Sequence, residues 1–202
     1  MRRKNMYNVH AKAISALSEA DPKYTLATMT FVNSTVRTPI SRAMSDMTET
    51  KKKGAKAVCL NNTAKNNAYR YIRKNYKYLH HVIHCDYMTT AEKMVALMDI
   101  PNIGLAKAGF ILQMCIGKVG CIDCHNQNMF GIDKKDLTVP KRAKLAEKLR
   151  KSHDYINMCE KLGGTEYLWN NWCKFIAGKY PNKFDNAHAV SRVHVDAIVT
   201  IA

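Results

Sequence analysis

Ile100-Pro101-Asn102-Ile103-Gly104 is followed, nineteen residues after its glycine, by Asp123 in the run Gly120-Cys121-Ile122-Asp123-Cys124-His125-Asn126. These residue types in this order read as a phosphate-gripping turn between two helices, then a helix, then an acidic residue at the mouth of the next one. Such a layout suits gripping a phosphate backbone with a carboxylate held nearby. The same residues also spell Cys121-x-x-Cys124-His125, the pattern of a haem attachment or a metal site.

A turn that grips phosphate needs outward-facing backbone N–H groups, small or left-handed-tolerant residues, and the positive end of the following helix. Asn102 and Gly104 take the two special positions, asparagine being the best non-glycine substitute where φ is positive. Ile100 and Ile103 would pack the turn against its helices, and Lys107 would add a charge to the same phosphate. Asn102, Ile103, Gly104 and Lys107 are therefore candidate DNA-binding residues. The same turn also serves as a plain helical connection, and Asp123 as a plain helix cap, which aspartate favours.

The cysteine spelling competes poorly. Haem is attached outside the cytoplasm, and the basic start Met1-Arg2-Arg3-Lys4-Asn5 lacks a signal-peptide core. A zinc site would need Cys121, Cys124 or His125 joined by a distant ligand such as Cys115, and no second Cys-x-x-Cys completes it. Cys121 and Cys124 read as buried small apolar residues, and no metal or other cofactor is implied. His80 and His84 share a helical face, as metal ligands can, but no helical glutamate completes a zinc-peptidase pattern. They read as structural or interfacial histidines.

The elements that position these residues are mainly helical. Helices are expected over residues 6 to 19 and over 65 to 84, the latter with Tyr69, Ile72, Tyr76, Leu79 and Ile83 as its stripe. Thr89 or Thr90 caps a helix through Met98, with Glu92 supporting its first turn, and Pro101 ends it. An apolar helix runs from Leu105 to Ile116, and a short one starts at Asp123. Pro140 opens a long charged helix that Gly163-Gly164 break, and two more follow near 165–178 and 186–200. Between Asp21-Pro22 and Gly54 the pattern leaves loop, short hairpin and irregular helix open, with β-branched residues clustered from Thr28 to Val36 and Pro39 after them. Lys51-Lys52-Lys53-Gly54 reads as a solvated turn. On the last helix Arg192 and His194 are phosphate or base contacts on one reading and a solvated polar face on the other.

At 202 residues, 47% of them hydrophobic and 24% charged, the chain suits one domain with a proper core. Residues 1–60 form its less regular part, and 89–130 hold the hairpin and the acidic segment. Thirty-two Lys and Arg against 16 Asp and Glu give a formal charge of +16, which favours a polyanion such as nucleic acid. No apolar run approaches the ~20 residues that span a bilayer. Seven cysteines, an odd number without an export signal, point to reduced thiols and a cytoplasmic location.

Residues 100–130 resemble the catalytic segment of the helix-hairpin-helix DNA glycosylase superfamily, the endonuclease III group. There a leucine-proline-glycine-x-glycine hairpin precedes an aspartate-x-histidine by a similar interval. The resemblance implies a glycosylase-like helical domain with Asp123 as catalytic carboxylate, stabilising positive charge at the sugar or activating water. Two departures stand out. Ala106 occupies the position of the lyase lysine, with Lys107 one step on, and Cys159 and Cys173 are too far apart for the iron-sulfur loop. Gly-Cys-Ile-Asp-x-His-Asn after an Ile-Pro-x-Ile-Gly hairpin is more closely similar to the phage thymidine-hypermodification group, the thymidine aminotransferases formerly described as glutamyl or putrescinyl thymine pyrophosphorylases. That resemblance implies replacement of the phosphate on a 5-phosphomethyluracil base in double-stranded DNA by an amino acid or amine, protecting phage DNA from host restriction. Asp123 would activate the amine or steady the methylene, while His125 and Asn126 would orient the base or the leaving group. Basic residues, Arg192 among the candidates, would hold DNA or receive phosphate. The alternatives are a monofunctional DNA glycosylase and a non-catalytic DNA-binding or virion-associated protein.

Overall fold

The computed structural model describes residues 10–38, 42, 43, 45, 63–140 and 142–202, and these residues are mainly helical, with no strand among them. Helices α1 (Lys12–Ala20) and α2 (Pro22–Ser34) meet at Asp21. Its carboxylate accepts from the Lys23 amide, and Pro22 opens α2 at a position that needs no donor. Then come α3 (Thr63–His84), α4 (Thr90–Leu97), α5 (Leu105–Ile116), α6 (Cys124–Phe130), a 3-10 turn (Lys134–Leu137), α7 (Leu145–Lys161), α8 (Gly164–Lys179) and α9 (Ala187–Ile201).

Helix α5 organises the packing. Leu105 and every residue from Ala108 to Cys115 are buried, and a helix apolar on all sides has to lie inside. It packs against α1, α2, α3 and α4; α2 also meets α3 and α9, while α8 meets α6, α7 and α9. One core follows, from Ile14 through Phe31 and Ile111 to Trp169 and Ile198.

Thr28 to Ser34 are helical, which settles a segment open between hairpin and helix. Burial outweighs β propensity here, since Thr25, Thr28, Thr30 and Val32 are all inside. Some of the hydroxyls enter the core already bonded to their own helix: Thr30 Oγ1 donates to the Leu26 carbonyl at 2.8 Å and Ser34 Oγ to that of Phe31 at 2.6 Å. Pro39, the Lys51–Gly54 run and the basic N-terminus lie outside the described residues.

In α3, Ile72, Leu79 and Ile83 are buried, Tyr69 and Tyr76 are half-buried, and Arg70, Arg73, Lys74 and Lys77 are exposed. His80 and His84 take the structural role. His80 Nδ1 bonds Thr25 Oγ1 at 2.9 Å and His84 Nε2 bonds Ser18 Oγ at 3.2 Å. Burial lowers the His84 pKa to about 4. Thr89 and Glu92 form the reciprocal cap of α4. Pro140 does not open α7: its carbonyl closes a turn with the Ala143 amide, and the helix starts at Leu145. No helix among the described residues is long and apolar enough to cross a membrane.

Candidate active site

The connection from α4 to α5 is tight. The Ile100 amide donates to the Leu97 carbonyl and the Ile103 amide to that of Ile100, at 3.2 and 3.1 Å. Both isoleucines are buried, and Asn102 adopts φ 65° at the exposed tip. Gly104 departs from expectation. Its φ of −105° and ψ of −173° are extended, so only Asn102 takes the left-handed position. A Cβ on Gly104 would meet nothing within 4 Å. The glycine leaves open space at the start of α5, whose first turn has no side-chain cap. Uncapped first-turn amides are donors for an anion.

The segment leading to Asp123 is held from several sides. Gly117 ends α5 at φ 65°, and Val119 follows at φ 64°, a strained conformation for a β-branched residue that costs on the order of 1–3 kcal/mol. Val119 is buried and its carbonyl accepts from Thr165 Oγ1. At the next residue the backbone touches α5: a Cβ on Gly109 would lie 2.5 Å from the Gly120 oxygen, and one on Gly120 would lie 2.5 Å from Leu168 Cδ1. Tyr155 from α7 closes the clamp. Its buried phenol donates to the Gly120 carbonyl and accepts from the Ile122 amide, both at 2.8 Å.

So positioned, Asp123 caps α6. Oδ1 accepts from the His125 and Asn126 amides, each at 3.0 Å, and Oδ2 accepts from Trp172 Nε1 at 3.0 Å. Three donors from two elements orient one carboxylate. It also lines a cavity of about 510 Å3, so the cap and the candidate catalytic carboxylate are one residue.

Other elements complete the cavity. Thr35, Arg37 and Thr38 come from the turn after α2, Ala106, Lys107 and Phe110 from α5, Trp169 and Trp172 from α8. The α2 turn is pinned by buried Lys65, whose Nζ donates to the Ser34 carbonyl at 2.6 Å and to Thr38 Oγ1. A cation there also complements the negative end of α2. Lys107 belongs to this cavity too: its Nζ donates to Thr35 Oγ1 at 3.1 Å and lies 5.4 Å from the centre of the Phe110 ring.

Of the residues singled out from sequence, Asp123, His125, Asn126 and Lys107 converge on the cavity, while Asn102, Ile103 and Gly104 stay at the α4–α5 connection. The His125 ring packs against Phe175 with centroids 4.9 Å apart. Asn126 is buried; its Nδ2 donates to the Cys121 carbonyl at 2.6 Å. Arg192 is exposed, and its charge acts on His10, at the start of α1. His194 is not on a solvated face: it is 0% exposed and lines the cavity. Burial lowers its pKa to about 4.

Cys124 is exposed and Cys121 only half-buried, against the reading of both as buried apolar residues, because Cys124 opens α6 on its outer side. Desolvation still pushes the Cys121 thiol up to about 12, which disfavours the thiolate that metal binding or nucleophilic attack requires. Among the described residues no group of three His, Cys, Asp or Glu is placed to hold a metal ion. Tyr155, Gly109 and Trp172 are the site-building residues that spacing did not reveal. A glycine inside an apolar helix was the one signal, since it marks close backbone approach.

No family model matches the chain, no curated protein matches its sequence, and no solved structure matches its fold.

Proposed function

We propose that this protein is a DNA-base-modifying transferase of the phage thymidine-hypermodification type, exchanging the phosphate of a 5-phosphomethyluracil base for an amine or amino acid. The observation that carries the reading is Asp123, held by three donors in the wall of an aromatic cavity that also receives Lys107 and Arg37. The α4–α5 connection would grip the DNA backbone while the target base leaves the stack and enters the cavity. At about 510 Å3 the space falls in the ~300–1,000 Å3 range of small-molecule sites and has room for a pyrimidine and a second small molecule.

In this reading the amine nitrogen attacks the exocyclic methylene and forms a C–N bond. The C–O bond to phosphate breaks, and phosphate leaves with the electron pair. Asp123 takes the proton the amine sheds, and Lys107 and Arg37 stabilise the departing anion. These two cations in the cavity wall favour an anionic leaving group over simple base excision. A monofunctional glycosylase would use the same carboxylate on water. The two separate when DNA carrying 5-phosphomethyluracil is incubated with the protein and a panel of amines, then digested to nucleosides and weighed. A nucleoside whose mass shows the amine in place of the phosphate supports transfer; free base with abasic sites supports excision.

A further inference from the structure

His194 bonds its own helix with one ring nitrogen and leaves the other without a hydrogen-bond partner among the described residues. Nδ1 lies 2.7 Å from the Val190 carbonyl, an oxygen that only accepts, so Nδ1 carries the proton and Nε2 is left as an acceptor. Nε2 is buried without a hydrogen-bond partner among the described residues, in a side chain that lines the cavity. The ring cannot readily turn to find one. Phe31, Trp169 and Trp172 pack edge-to-face on it, with centroids 5.4, 5.4 and 5.0 Å away. A buried acceptor without a donor is costly to keep unless a ligand supplies one.

We propose that His194 is the specificity-determining residue for the substrate ring, its Nε2 accepting the imide N3–H of a uracil-type base. This rests on the reading that a DNA base enters the cavity. Cytosine-type bases present a lone pair at N3, and an N3-methylated uracil presents no donor, so both leave the acceptor unpaired. A site built around one such group discriminates strongly, because the wrong ligand is desolvated without compensation. The low pKa keeps His194 neutral in ordinary buffers and holds it in the accepting form. The placement also suits the proposed chemistry. Trp172 packs edge-to-face on His194 and donates to Asp123, so the residue reading the ring and the carboxylate serving its exocyclic carbon flank one indole.

Both tryptophans of the chain touch His194, so intrinsic fluorescence reports directly on this corner. The probes are duplexes with one 5-hydroxymethyluracil, its N3-methyl derivative or 5-hydroxymethylcytosine, each opposite an abasic position so that base pairing drops out. The expected result is at least tenfold tighter binding of 5-hydroxymethyluracil than of the other two. His194→Phe, which keeps the aromatic packing and removes the acceptor, should bring the three within about twofold. Quenching by all three duplexes with equal affinity for the unsubstituted protein overturns the assignment of His194 and leaves the base cavity standing. Duplexes that bind with no base-dependent fluorescence change overturn the base-cavity reading and this inference together. The comparison among duplexes uses the unsubstituted protein, so it decides the matter even if the variant fails to fold.

Discussion

Tyr155→Phe removes one oxygen atom and tests how the segment carrying Asp123 is held. The phenol satisfies two buried backbone groups at once, the Gly120 carbonyl and the Ile122 amide, and its own side chain is 1% exposed. A typical hydrogen bond contributes about 0.5–1.5 kcal/mol net, but an orphaned buried partner costs about 1–3 kcal/mol. Losing the hydroxyl orphans the Ile122 amide and leaves the Gly120 carbonyl only the weak Cys159 thiol donor at 3.8 Å, so it should cost roughly 1–3 kcal/mol, or up to about 4 kcal/mol if that thiol bond fails too. That is a large part of the ~5–15 kcal/mol that holds an ordinary domain. For a chain of this length each kcal/mol moves Tm by about 2–4 °C, so the melt should fall by roughly 2–12 °C. Urea titration followed by tryptophan fluorescence measures it, with an unchanged m-value showing that stability alone has moved. The segment carrying Asp123 should also loosen, so product formation falls further than DNA affinity does. A stability loss below about 0.5 kcal/mol would refute the clamp, because the Ile122 amide would then have another partner.

Gly109→Ala puts a Cβ 2.5 Å from the Gly120 oxygen and 3.0 Å from the Tyr155 ring, so α5 and the segment leading to Asp123 must part; urea melts should show a loss of about 1–3 kcal/mol. At Asn102, with φ 65°, glycine should leave stability within about 0.5 kcal/mol, whereas valine should cost roughly 1–2 kcal/mol in the same assay. Stability should also fall on acidification. His194 is buried neutral with its pKa near 4, while the unfolded chain protonates it near 6.5, so the unfolded state binds the extra proton between those values. Stability is therefore intact above about pH 6.5 and lost as pH falls towards 4, by up to roughly 3 kcal/mol from this residue. His84 acts in the same direction. Melts of His194→Phe across that range should show a shallower slope.

What spacing reveals depends on how local the cause is. The bounds of α5 are legible because Pro101 and Gly117 flank an apolar run, and the Thr89 cap is legible because both partners sit within four residues. Asp123 reads correctly as a cap for the same reason. Residues 28–34 are not legible as helix, since their β-branched side chains are helical only by virtue of burial against α3, α5 and α9. The site hides more. Tyr155 reaches a carbonyl 35 positions earlier, Trp172 a carboxylate 49 positions earlier, and Lys107 a hydroxyl 72 positions earlier. No periodicity records such pairs. His194 is misread for a related reason: its polar type suggests a solvated face, while three aromatic rings from α2 and α8 enclose it.

The central claim is that Asp123 performs chemistry on a base and does more than cap α6. Asparagine keeps one oxygen that can cap α6 but turns its NH2 towards the Trp172 N–H, so Asp123→Asn should fold with a loss of roughly 1–3 kcal/mol and bind DNA as before. The decisive measurement is nucleoside mass after incubating 5-phosphomethyluracil DNA and amine with the two proteins side by side. The account predicts a thymidine in which amine has replaced phosphate with the unsubstituted protein, and unreacted nucleoside with Asp123→Asn. Equal product from both, or none from either while both bind DNA, would contradict it.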